Sequence, residues 1–206
     1  MNVLCIGPHP DDLEFGAAGT LIKFIEAGHD VFLMIMTRGG MGGEADIRTA
    51  EQIESGAIIG VKEIFWGGYE DTMLKADAET ISVVEKVLGK IEPEIIFCPF
   101  GDDTHQDHRT LADVVMSASR NSRNLLLYET PTTSPNFWPN VFVDITQVLD
   151  RKVQTLLAHR SQIMKTNIRD TSILDMVTST ANFRGVQGRV QYAEGFVSIR
   201  LFLDIP

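Results

Sequence analysis

Two short segments concentrate side chains able to bind a metal or move a proton. The first is Pro8-His9-Pro10-Asp11-Asp12-Leu13-Glu14, and the second is Gly101-Asp102-Asp103-Thr104-His105-Gln106-Asp107-His108. Three of the chain's five histidines fall in them; His29 and His159 lie elsewhere. Imidazole and carboxylate are the usual zinc ligands where thiolates are not used, and a catalytic zinc keeps three protein ligands and one open position. Two histidines and one carboxylate fit that pattern. A zinc ion so held polarises a carbonyl and lowers the pKa of water. A spare carboxylate then serves as general base and a spare histidine as general acid. Either segment alone reads more readily as a capped turn. Together, each just after a strand-like run, they read as a metal site.

The elements that must carry these groups follow from the apolar pattern. Val3-Leu4-Cys5-Ile6 reads as a buried strand, followed by a helix from about Phe15 to Ala27 that Gly28 stops. Val31 to Thr37 is a second strand, ahead of the loop Gly39-Gly40-Met41-Gly42-Gly43. Asp46 is placed to cap a helix running to about Ile59. Strands at Glu63 to Trp66 and Glu94 to Phe100 follow, each leading to a helix, Glu79 to Ile91 and His108 to Ala118 by pattern. Further strands are expected at Leu125 to Tyr128, Val141 to Ile145 and Phe196 to Phe202, with helices from Gln147 to Ser161 and Ile173 to Thr180.

Alternating strands and helices predict an α/β fold, a single Rossmann-like doubly wound domain over residues 1–206 with a mostly parallel sheet. In such sheets ligands bind beyond the carboxyl ends of the strands, where strand order reverses. The order 3-2-1-4 makes the first and fourth strands neighbours, so both acidic segments reach one crevice. The glycine-rich loop does not match G-x-G-x-x-G and follows the second strand, which leaves a dinucleotide fingerprint unsupported. It reads instead as a mobile substrate loop or a plain surface loop. His29 and His159, near helix ends, read as complements to helix dipoles.

Composition narrows the partners. The 18 Lys+Arg against 28 Asp+Glu give a net charge of −10, which argues against nucleic acid and anionic membranes. Cys5 and Cys98 each sit in an apolar run and read as buried reduced thiols. No apolar stretch has the length of a membrane span and no signal peptide is evident, so a cytoplasmic protein is expected.

At these residues the chain resembles the PIG-L/LmbE-type zinc de-N-acetylases. The likeness runs through Pro8-His9-Pro10-Asp11-Asp12, Glu14, Gly16 and Gly19-Thr20, then Thr37-Arg38-Gly39, Arg48, Glu51 and Asp71. It continues through His105-x-Asp107-His108 and His159-Arg160-Ser161-Gln162 to Tyr192-Ala193-Glu194-Gly195-Phe196. The resemblance implies one zinc ion per chain on His9, Asp12 and His108. It implies Asp11 as the base that deprotonates the attacking water and His105 as the acid for the leaving amine. Asp107 would orient His105 and favour its charged form. Tyr192 would approach the oxyanion, and Arg48 would contact substrate or framework, its plain alternative being an ion pair with Glu51 or Asp46. The implied partner is a small N-acetylated amino sugar or related amide, and a homo-oligomer is compatible with the likeness. Iron or cobalt fits a His/His/Asp set nearly as well as zinc. The chain departs from the pattern at Gly40, where Glu is frequent, and at Ala18, where a second Gly is common. The first bears on substrate identity, the second on packing near the turn.

Three rival readings stay open on sequence: the same site acting on a non-sugar N-acyl substrate, a non-catalytic metal- or sugar-binding module, and a two-metal phosphatase or nuclease drawing on Asp102 and Asp103.

Overall fold

The computed structural model describes residues 1–203. Its centre is a seven-stranded sheet. The strands are β1 (Asn2–Gly7), β2 (Asp30–Thr37), β3 (Glu63–Tyr69), β4 (Ile95–Pro99), β5 (Leu125–Tyr128), β6 (Val141–Asp144) and β7 (Ala193–Arg200). The helices are α1 (Asp12–Glu26), α2 (Ala45–Ile59), α3 (Ala78–Ile91), α4 (Gln106–Ala118), α5 (Leu149–Ala158) and α6 (Ile173–Gly188). The strand order is β3-β2-β1-β4-β5-β7-β6. The run from β3 to β5 is parallel, while β7 pairs antiparallel with β5 and with β6. The sheet is therefore mostly parallel, with an antiparallel edge.

Burial on both faces explains the unbroken apolar runs of the central strands. Side chains alternate between the faces. Val3 and Cys5 of β1 join one apolar cluster, Leu4 and Ile6 the other. The same alternation splits Val31, Leu33 and Ile35 from Phe32, Met34 and Met36 in β2. Cys5 and Cys98 are free and buried on opposite faces, and burial pushes both thiols up.

Strands β1 and β4 are neighbours, with Val3 opposite Ile95 and Cys5 opposite Phe97. Their carboxyl ends open side by side, as the 3-2-1-4 order requires. Two helices begin earlier than the apolar pattern indicated. α1 starts at Asp12 rather than near Phe15, and α4 at Gln106 rather than His108. The polar residues of each acidic segment thus form a first helical turn, which the apolar period does not mark. α2 likewise begins at Ala45 with Glu44 at its cap position, and Asp46 pairs instead with Arg38. A 3-10 turn (Thr146–Val148) precedes α5, which ends at Ala158, short of the expected Ser161.

Helix α1 is held unusually tightly. Gly16 lets it approach β5 so closely that a Cβ there would lie 2.2 Å from the Tyr128 ring. Midway along, the Glu194 carboxylate accepts the Gly19 and Thr20 amides at 2.9 and 2.7 Å. Lys152 Nζ donates to the Phe15 carbonyl at 2.5 Å and also pairs with Glu194. The buried ion pair thus grips both groups that a regular helix would join between Gly19 and Phe15.

Candidate active site

The chain leaves β1, passes Pro8-His9-Pro10 and enters α1 through Asp11, whose φ of 87° and ψ of −24° are left-handed. Asp tolerates that region better than most residues, yet it remains a sparsely populated conformation. Arg48 of α2 helps hold it. The Arg48 guanidinium donates to the Pro10 carbonyl at 2.7 Å, to Asp11 Oδ2 at 3.2 Å and to the Gly39 carbonyl at 2.8 Å. Neither Glu51 nor Asp46 is its partner. Burial pushes the Asp11 carboxyl up to about 6, against the pull of Arg48 and with the help of nearby Asp12. It is therefore a stronger base than an ordinary carboxylate.

Asp12 opens α1 between two buried imidazoles. Its Oδ2 is 3.1 Å from His9 Nδ1, and its Oδ1 is 3.3 Å from His108 Nε2. Burial alone would raise the Asp12 carboxyl, but His108 and His9 hold it far below the usual range. The other nitrogen of each ring is also held by acid. His9 Nε2 lies 3.1 Å from Asp107 Oδ2 and 3.0 Å from Asp71 Oδ1. His108 Nδ1 lies 3.1 Å from Asp103 Oδ2, which also accepts from Thr130 and Thr133. Burial works to lower both histidines, yet these carboxylates raise them, His108 to about 9. Asp71 and Asp103 are correspondingly depressed to about 2 despite their burial.

Metal-ligating histidines commonly have their outer nitrogen fixed by a carboxylate. Ligating atoms of His9, His105 and His108 lie within 4.8 Å of one another, as do those of His9, Asp71 and Asp107. The buried Oδ1 of Asp107 lacks a hydrogen-bond partner. An imidazole and carboxylate set this dense and this buried fits a divalent cation, whose charge would offset the crowded acids.

His105 caps α4, and its Nδ1 accepts the Asp107 amide at 3.2 Å. In the neutral ring this leaves the proton on Nε2. Burial lowers its pKa, and the neighbouring His9 and His108 lower it further. Here the structure departs from what the resemblance implied. The Asp107 side chain faces His9 and the Thr72 amide, at 3.1 and 2.8 Å, not the His105 ring. The physical reason is the helix start at Gln106, which turns Asp107 inward.

A cavity of about 370 Å³ opens at these residues, and Gln162, Lys165, Asn167, Ile173 and Met176 also line it. His9, Asp11, Asp12, His105, His108 and Arg48 all border it. Tyr192 does not. It packs, half-buried, against the apolar cluster containing Ile145 and Val148, while its carbonyl accepts the Ile145 amide. The useful residue of Tyr192-Ala193-Glu194-Gly195-Phe196 is Glu194, an acid alone in a buried strand, and that was the available signal. His159 is no surface complement to a helix dipole either: it is 1% exposed and lies 3.5 Å from Glu14.

The glycine-rich loop is fastened rather than loose. The Gly42 carbonyl accepts from Lys165 and Gln162, and the Met41 amide donates to Asp71 at 2.8 Å. At Gly39 (φ 66°) a Cβ would sit 2.1 Å from Arg48 Nη1. The loop is glycine-rich there because the Arg48 guanidinium occupies the space. Sequence reasoning missed Thr130 and gave Asp103 a site role only in the two-metal reading. Asp103 stands inside the second segment, whereas Thr130 is brought in from the end of β5 by the fold alone.

Residues 4–119 match the profile of the PIG-L family, described as GlcNAc-PI de-N-acetylase. The chain belongs to the PIG-L family. A diacetylchitobiose deacetylase from Thermococcus kodakarensis is 32% identical over 186 residues, covering 78% of this chain and 70% of the relative. The solved N,N'-diacetylchitobiose deacetylase of Pyrococcus horikoshii matches with a TM-score of 0.85 at 30% identity, over 96% of this chain and 83% of that one. A conserved protein from Thermus thermophilus matches with a TM-score of 0.87 at 26% identity, over 99% and 97% of the two chains. PIG-L membership and relatives named as deacetylases make the chain an enzyme of the amide-hydrolysing, de-N-acetylase kind. No helix among the described residues is long and apolar enough to cross a membrane.

Proposed function

We propose that this PIG-L chain hydrolyses the acetamide of a small N-acetylated amino sugar, with one zinc ion held by His9, Asp12 and His108. The observation that carries the proposal is Asp12 set between two buried imidazoles, beside a carboxyl whose proton affinity is raised. When bound, the ion supplies Lewis acidity toward the acetamide carbonyl and the attacking water. Asp11 takes the proton from that water as it attacks the carbonyl carbon. Arg48 keeps Asp11 aimed by holding the Pro10 carbonyl and the carboxylate together. His105, in its charged imidazolium form, gives its Nε2 proton to the amine nitrogen as the C–N bond breaks, and the proton taken by Asp11 then restores the charged ring as acetate and amine leave. Asp107 and Asp71 fix the His9 ring, and Asp103 fixes that of His108. Tyr192 has no part in this scheme.

The test is acetate release from N-acetylglucosamine and its oligomers by metal-replete protein against the chelated form. Release only from the replete form is expected, with one ion per chain, because both donor sets draw on His9. No release with one ion still bound would move the search to non-sugar N-acyl substrates. A ratio near two would favour two-metal chemistry.

Gly39→Ala tests the aiming of Asp11. The added Cβ must displace Arg48, so kcat should fall between about tenfold and 10²-fold while the ion stays bound, since small misplacements of catalytic groups cost that much. Unchanged kcat would show that Arg48 does not aim the base.

A further inference from the structure

Behind Asp11 lies a set of buried polar side chains that the chemistry above does not use. Glu14 and Gln52 are fully buried, and His159 nearly so. Gln52 Nε2 donates to Glu14 Oε1 at 2.6 Å, and Ser55 Oγ donates to the same oxygen at 2.7 Å. The other end of the Gln52 amide, Oε1, accepts the Asp11 backbone N–H at 3.4 Å. Nε2 of His159 faces Glu14 Oε1 at 3.5 Å.

An ionised carboxylate only accepts hydrogen bonds, whereas a glutamine amide has one accepting and one donating end. Glu14 therefore dictates which way the Gln52 amide points. With its NH2 drawn to Glu14, its carbonyl must face Asp11. The reverse orientation would set carbonyl against carboxylate and NH2 against N–H, and both contacts repel. The amide so oriented meets the one N–H whose residue holds a left-handed backbone, at the entrance to α1. Arg48 grips the same turn from the Pro10 carbonyl and the Asp11 carboxylate, so Asp11 is held from both sides.

We propose that Gln52 is a positioning residue for Asp11, and that Glu14, with His159 packed against it, sets the sense of the Gln52 amide. Resting on the reading of Asp11 as the base, the proposal gives Glu14 and His159 a purpose although neither side chain borders the cavity. Gln52 acts through the backbone of Asp11 and touches neither substrate nor metal.

The experiment uses Gln52→Leu, Glu14→Gln and the double variant of the full chain. It measures kcat, KM, metal content and the hydrogen exchange of the Asp11 amide by NMR. Each single variant should lower kcat by about tenfold with KM within about twofold, as expected for a loosened catalytic group. The Asp11 amide should exchange faster, and one ion per chain should remain. The double variant should be no worse than the poorer single one, because both act through one chain of hydrogen bonds. Should Gln52→Leu not fold, Gln52→Met, close in length, carries the same expectation. Additive losses, a rise in KM at constant kcat, or unchanged Asp11 exchange would overturn the proposal. If the wild type releases no acetate from any N-acetylated substrate, the functional reading fails, and Asp11 exchange in the variants still judges the positioning.

Discussion

An Asp11→Asn variant will keep its metal ion and lose acetate release by between about 10²- and 10⁴-fold, the contribution typical of a general base. His9→Ala will lose the ion and the activity together. The split follows from position. Asp12 bridges His9 and His108, whereas Asp11 pairs with Arg48 in the cavity lining. Asparagine keeps the shape of Asp11 and tolerates its left-handed backbone, so the turn survives while proton acceptance is removed. Metal analysis of both purified variants, beside initial rates, decides the matter. Equal loss of metal in the two would overturn the separate roles of Asp11 and Asp12.

The same assignment fixes the sign of a pH effect. A base must be ionised, so kcat/KM will fall as pH drops through the Asp11 value. Burial raises that value to about 6 in the protein without its ion. A bound dication beside Asp12 favours the charged carboxylate and lowers it. The acid limb of kcat/KM is therefore expected at or below about pH 6, and a limb well above it would point to another group.

Lys152→Met will lower stability by about 3–5 kcal/mol, the usual cost of removing one partner from a buried ion pair. Lys152 is 1% exposed and Glu194 is 4% exposed. With the ammonium gone, the Glu194 carboxylate stays buried with only the Gly19 and Thr20 amides, and the Phe15 carbonyl loses its donor. Replacing both, Lys152→Met with Glu194→Leu, should cost less than the single change, because no charge is then left unpaired. Denaturant unfolding of the three variants measures this, and a single-variant loss below about 1 kcal/mol would contradict it. The damage should reach the site, because the pair grips α1, whose first turn carries Asp12. Weaker metal binding by Lys152→Met is expected to accompany its lower stability.

Much of this was legible in the chain. The apolar runs of β1, β2 and β4 follow from burial on both faces, and their alternation with helices dictates a parallel sheet. The types of residue in the two acidic segments were enough to point to a metal site, because few chemistries need imidazole and carboxylate in that density; separate roles for His9, Asp12, His108, Asp11 and His105 came only from the resemblance to the family. The first turns of α1 and α4 were hidden by those same residues. A helix start occupied by metal-binding and capping groups has no apolar stripe to betray it.

Tertiary structure decided which acid serves which histidine. Asp107 was two residues from His105 in sequence, yet the helix turns it to His9, and Asp103 rather than Asp107 reaches across to His108. It also removed Tyr192 from the cavity and gave its motif a different purpose through Glu194. The chain records the kinds of groups present, since composition and spacing are local properties. Partnership between buried polar groups depends on distances of about 3 Å set by packing, and packing exists only once β1, β4 and the helices they feed are brought side by side.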